Sequence, residues 1–108
     1  LTNYLQRPEL LSPAGNVRHV ILSEIGIVNS QGEEIQAATI YAAYMAAKRN
    51  PYIDEIIYLL ADSEPAIDTR LSGQSQFVYD SLGTPGEAAC DAWAKSLIGI
   101  SDWSQVLR

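Results

Sequence analysis

Apolar residues along this chain fall into two short unbroken runs, with a long stretch between them in which they recur every three or four positions. The first run, Val20-Ile21-Leu22, follows the loop Ser12-Pro13-Ala14-Gly15-Asn16 and gives way to Ser23-Glu24-Ile25-Gly26. The second, Ile56-Ile57-Tyr58-Leu59-Leu60-Ala61, opens at Ile53. Short continuous runs rich in β-branched residues suit strands buried on both faces, as in a parallel sheet. Between its loop and Gly26 the first run is too short for a buried helix. The intervening stretch carries Ile35, Ala38, Ala42, Met45 and Ala46 as one stripe, which predicts a long amphipathic helix. Ser30-Gln31-Gly32-Glu33 has the spacing of a capping box at its start. Lys48 and Arg49 complement the dipole at its end, and Asn50-Pro51 stops it.

The remaining segments are less regular. Leu1 to Leu11, interrupted by Pro8, reads as a helix end and a loop. Asp62 to Gln76 is a polar loop without periodicity, and Phe77-Val78-Tyr79 reads as a short extended piece ending in the turn Asp80-Ser81-Leu82-Gly83. Thr84-Pro85-Gly86-Glu87 has the spacing of a second capping box, with Pro at the first helical position. The helix after it carries Ala89, Trp93 and Leu97 inward and closes at Gly99. Ser101-Asp102-Trp103 starts a short last turn. The order contains two βα units, so the expected class is α/β with a parallel sheet, forming a single unit over residues 1–108. Two strands cannot bury both faces of such a sheet. The remaining strands are therefore expected in a larger parent or, failing that, in other copies of the chain.

Composition narrows the functional classes. A net charge of −6, with scattered basic residues, argues against nucleic acid, whose phosphates need clustered Lys and Arg. No apolar run approaches the roughly 18 residues of a membrane-spanning helix. Cys90 is the only cysteine, so neither an internal disulfide nor a cysteine-based zinc site can form. With no evident activating partner it reads as an inert, partly buried thiol, compatible with a secreted parent. Leu1-Thr2-Asn3-Tyr4 lacks the basic region and apolar core of a signal peptide, and an initiator Met, as expected of an excised piece. No Gly-rich phosphate loop is present, so no nucleotide cofactor is expected, and a standalone flavodoxin-like domain would need about five strands.

Glu24 is the most informative polar residue, because it follows an apolar strand directly. At a strand's C-terminal end it is either a solvated carboxylate leaving the sheet or a group aimed into a site, where it can attack a sugar's anomeric carbon. Asp62, Glu64 and Asp68 follow the second strand, as a solvated acidic loop or as the edge of the same mouth. A calcium loop is not indicated, since the Asp-x-Asp-x-Asp-Gly pattern is absent, and no metal is expected. His19, Asp54 and Glu55 sit at the opposite strand ends, where residues usually serve stability. Tyr41, Tyr44 and Met45 read as helix packing, and Trp93 as core.

Several motifs in order carry a resemblance. Ser23-Glu24-Ile25-Gly26, Asn29-Ser30, Gln36-Ala37-Ala38 through Tyr41 and Tyr44, and Ile53-Asp54 resemble an uncharacterised bacterial family of glycosidase-like barrels. Tyr79-Asp80, Gly83, Pro85 and Asp91-Ala92-Trp93 are similar to the ending of the large retaining-glycosidase clan. The likeness covers nearly the whole chain. It implies a partial TIM barrel, the last two βα units of a (β/α)8 fold, with Glu24 as nucleophile and Asn29 and Asp62 among the substrate contacts. It implies a carbohydrate as the parent's ligand, and association with the rest of the barrel or self-association. The sequence departs from this pattern at Leu59, Leu60 and Ala61, where the family carries His and Arg and the clan often has Trp. The clan's acid/base group comes from a fourth strand that this chain lacks. The expectation is therefore a glycoside hydrolase fragment, inactive alone, or else a non-catalytic carbohydrate-binding or assembly module.

Overall fold

The computed structural model describes residues 2–26, 29–58 and 73–106. A short helix α1 (Thr2–Leu5) and a 3₁₀ turn (Pro8–Leu10) precede strand β1 (Val20–Ile25). Helix α2 (Glu33–Arg49) then crosses to strand β2 (Ile53–Tyr58). Helices α3 (Gly73–Ser81) and α4 (Glu87–Ile98) and a 3₁₀ turn (Trp103–Gln105) complete the chain. β1 and β2 pair in parallel as a two-stranded sheet.

The α/β class agrees with the sequence, but the partial TIM barrel does not. In a run of two βα units the helix after β2 would lie back on the sheet. Here α3 and α4 pack chiefly against α2, which also touches β2, so the described residues form a helical layer beside a two-stranded sheet. The strands are also not buried on both faces. Val20, Leu22 and Ile25 on β1 and Ile53, Ile56 and Tyr58 on β2 are half-buried, whereas Ile21 is 56% and Ile57 43% exposed.

The apolar spacing explains an irregularity in this sheet. Inward residues on β1 are two and then three positions apart (Val20, Leu22, Ile25), and on β2 three and then two (Ile53, Ile56, Tyr58). Strict alternation serves neither strand. The pairs are Val20↔Ile53, Ile21↔Glu55, Leu22↔Ile56 and Ile25↔Tyr58. One step on β1 therefore matches two on β2 around Asp54, and three on β1 match two on β2 around Ser23-Glu24. The extra residues cancel, because Val20 to Ile25 and Ile53 to Tyr58 are equal spans. A straight register would face Glu24 and Glu55 inward beside Val20, and burying carboxylates costs several kcal/mol, of order ~3 or more. The bulges instead leave Ser23, Glu24, Asp54 and Glu55 exposed.

α2 begins later than the capping-box pattern suggested. Gly32, at φ 106, is the residue before its first turn and no side chain caps it. The Gly32 amide donates to the Asn29 carbonyl (2.9 Å), leaving Ser30 in a turn. The left-handed backbone that Gly permits turns the chain into the helix here, and a Ser hydroxyl has no role in it. Glu33 and Glu34 in the first turn, and Lys48 and Arg49 in the last, match the dipole as expected. The inward stripe is rotated. Gln36, Ala37, Ala38, Ile40, Tyr41 and Ala47 are buried, while Ile35 is 48% exposed. The reason is area: turning Tyr41 and Ile40 toward α3 and α4 buries more surface than the largely Ala stripe would.

The core joins Ala37, Ile40 and Tyr41 of α2 to Val78 of α3, Cys90 and Ala94 of α4, and Trp103. Phe77-Val78-Tyr79 is helical rather than extended. α3 carries Val78 inward, and Gln76 Nε2 donates to Asp80 Oδ1 (2.8 Å) one turn on. On α4, Cys90 and Ala94 face the core, whereas Ala89 and Leu97 are exposed and Trp93 is half-buried. Their small side chains admit Trp103, which is 3% exposed and stacks at a tilt on Tyr41 with ring centroids 5.5 Å apart. The second capping box is also replaced. Helix α4 follows Gly86, and Glu87 turns instead to the Gly83 amide (2.8 Å). Gly99, left-handed at φ 73, closes α4 as the sequence predicts. Asp102 and Gln105 cap the final turn reciprocally.

Candidate functional site

The C-terminal end of the parallel pair brings together the strand end of β1, the turn 29–32 and the first turn of α2. This is the edge at which α/β folds commonly place ligands. Glu24 lies one residue before the end of β1, exposed, in the bulge opposite Ile57. Two successive residues, Ser23 and Glu24, face solvent between inward Leu22 and Ile25. Asn29 is half-buried where the turn begins, with its carbonyl accepting from Gly32. Asp62, with Leu59, Leu60, Ala61, Glu64 and Asp68, lies outside the described residues. Of the sequence-predicted site residues, Glu24 and Asn29 are therefore the two found along one strand-to-helix connection.

The backing of this edge is polar but bonded. Ser75 Oγ of α3 donates to Gln36 Oε1 of α2 at 2.7 Å, with both residues buried. Tyr58, at the end of β2, donates to the Ile40 carbonyl (2.8 Å), and burial pushes its hydroxyl well above the ordinary phenol range. Its ring meets Tyr79 edge-on at 5.9 Å. Glu33 and Glu34 occupy the first turn of α2, so the helix end is already supplied with negative charge and does not invite an anion. Among the described residues no group of three His, Cys, Asp or Glu is arranged to hold a metal ion. What this edge offers chemically is an exposed carboxylate near the end of a strand.

At the opposite strand ends, His19 Nδ1 lies 2.7 Å from Asp54 Oδ1, with Tyr52 edge-on to the imidazole at 5.8 Å. Asp54 is the extra residue of the β2 bulge, so this pair ties the two strand starts together, in line with a structural role for that end. A small cleft of about 190 Å³ between the end of α2 and β2 includes Lys48 and Asp54 in its walls.

Two carboxylates to which sequence reasoning gave no role between helices hold the helical layer together. Asp91 accepts from Trp103 Nε1 (2.6 Å), the Lys95 ammonium (2.6 Å) and the Tyr41 hydroxyl (3.1 Å). Burial opposes its charge, but the Lys95, Trp103 and Tyr41 donors outweigh it and hold the carboxyl below its usual range. Tyr41 is pushed upward, by burial first and Asp91 second. Glu87 accepts from the Gly83 amide (2.8 Å), Lys48 (3.2 Å) and Tyr44 (3.2 Å). There too burial is outweighed by those donors, and the carboxyl sits below its usual range. Their partners on α2 lie 39, 43 and 50 residues away, so local spacing reveals the bonds to Lys95 and Gly83 but not the ties to α2. Cys90 is a free, buried thiol with no exposed surface. No helix among the described residues is long and apolar enough to cross a membrane.

Among known families, one described as "Family of unknown function (DUF5722)" matches residues 1–106. No curated protein and no solved structure matches the chain. Nothing in these comparisons ties the chain to the retaining-glycosidase clan.

Proposed function

This chain belongs to the DUF5722 family, described as of unknown function, and we propose that Glu24 serves glycoside hydrolysis as the nucleophile of a retaining reaction. The observation that supports this reading is the exposed carboxylate at the C-terminal end of a parallel strand, kept outward by a bulge. In the reaction a Glu24 oxygen bonds to the anomeric carbon as the glycosidic C–O bond breaks and an acid protonates the departing oxygen. Water then cleaves the glycosyl ester, with the same acid acting as base. That second carboxyl belongs about 5 Å from the first. It comes from further polypeptide, so the chain alone is inactive. Asn29 and Asp62 hydrogen-bond sugar hydroxyls in this reading. The test is Glu24→Gln in the full-length protein, assayed on a glycoside that the unaltered protein turns over. Loss of turnover is expected, and unchanged turnover removes Glu24 from the mechanism.

A second reading, a non-catalytic carbohydrate-binding or assembly module, is favoured by the exposed Ile21 and Ile57 on the open sheet face. Glycan binding by the full-length protein without turnover, unaltered by Glu24→Gln, would select it.

A further inference from the structure

We propose that Ser23 is a positioning residue for Glu24, present for the site and dispensable for the sheet; the catalytic half of this inference rests on the function proposed above.

Deleting a residue inside a half-buried strand ordinarily sends every later side chain to the wrong face. Ser23 is an exception that the register makes explicit. Leu22 pairs with Ile56 and Ile25 with Tyr58, so Ser23 and Glu24 together stand against Ile57. Without Ser23, Glu24 would take that place alone. Leu22 and Ile25 would remain inward and all four recorded pairs would survive, with the register shift at Asp54 as the irregularity left between them. The hydrophobic pattern of the sheet therefore does not require this residue. Parallel ladders rarely carry bulges, and bulges recur beside active sites, where they re-aim a side chain. The other extra residue of this sheet, Asp54, is bonded to His19 at 2.7 Å and has a structural use. The extra residue at Ser23 instead makes Glu24 share the place against Ile57 and sets it one position further toward the C-terminal edge than a ladder without that shift would. It is the backbone step, and not the hydroxyl, that does this.

The experiment compares the full-length protein with a Ser23 deletion and with Ser23→Ala. Thermal unfolding is expected to show the deletion folded, with a midpoint equal to or above that of the unaltered protein. A deletion that fails to fold overturns the claim that Ser23 is supernumerary. Amidation of Glu24 by a carbodiimide and a small amine, followed by mass spectrometry, reads the carboxylate's setting without reference to any activity. A several-fold fall is expected in the deletion and no change in Ser23→Ala. Equal rates in all three proteins overturn the positioning role. Where the unaltered protein turns over a glycoside, kcat is lost in the deletion and kept in Ser23→Ala, and a deletion that retains kcat also overturns the proposal. If the unaltered protein turns over no glycoside, the functional reading fails, while the amidation rates still decide the positioning role.

Discussion

The helical layer and the sheet meet the same requirement, burial of apolar surface, with different completeness. In the helical layer Tyr41, Val78, Cys90, Ala94 and Trp103 close on one another, and the polar groups that come inside with them are bonded through Asp91 and the Gln36–Ser75 pair. In the sheet one face is half-buried, while the other leaves Ile21 and Ile57 in solvent and collects the carboxylates. The contrast separates two tasks. Stability is concentrated where the packing is closed, and the candidate chemistry sits where the ladder is irregular and open.

This contrast can be broken most severely at Trp103. Trp103→Ala removes a buried indole and one of the two closest donors to Asp91, and is expected to cost about 3–5 kcal/mol in urea unfolding. A cost near that of a surface substitution would mean the helical layer is not the seat of stability. Next comes Asp91. Asp91→Ala leaves the Trp103 indole N–H and the Tyr41 hydroxyl without their acceptor, at about 1–3 kcal/mol. The pH dependence has a definite sign. Asp91 and Glu87 are lowered in the folded state, so their contribution is present above the unfolded values, roughly 4 for both. It is lost as pH falls through the folded values, and Asp91→Ala should flatten that part of the acid profile.

The smallest effects are expected on the open face. Glu24→Gln and Ile57→Ser should each change stability by no more than about 0.5 kcal/mol, as exposed positions do. A large loss for Ile57→Ser in the full-length protein would show the open face to be covered there, and would remove that half of the contrast.

Much of the β1–α2–β2 order was legible because alternation of apolar runs with a helical rhythm survives without knowledge of partners. So was Gly99, whose left-handed role follows from the absence of a side chain. The inward face of α2 was not, since the choice between Ile35 and Tyr41 is made by what α3, α4 and Trp103 bring against it. Helix α3 escaped because its polar sequence has little amphipathic signal, and its helical state rests on Val78 entering a core built elsewhere. The one-sided burial of the strands was hidden for a related reason. Ile21 and Ile57 read as buried, and only the register shows that the three-residue gaps in each strand, not the runs themselves, define the inner face. At the site, Glu24 could be placed at a strand end from sequence, but not the bulge that keeps it outward.

Native-state amide hydrogen exchange, read residue by residue, tests the division between a closed helical layer and an open sheet most directly. The slowest amides should be those of Ile40, Tyr41, Val78 and Ala94, with Ser23, Glu24 and Ile57 exchanging much faster through local opening. Equal protection across the sheet and the helical layer would contradict it.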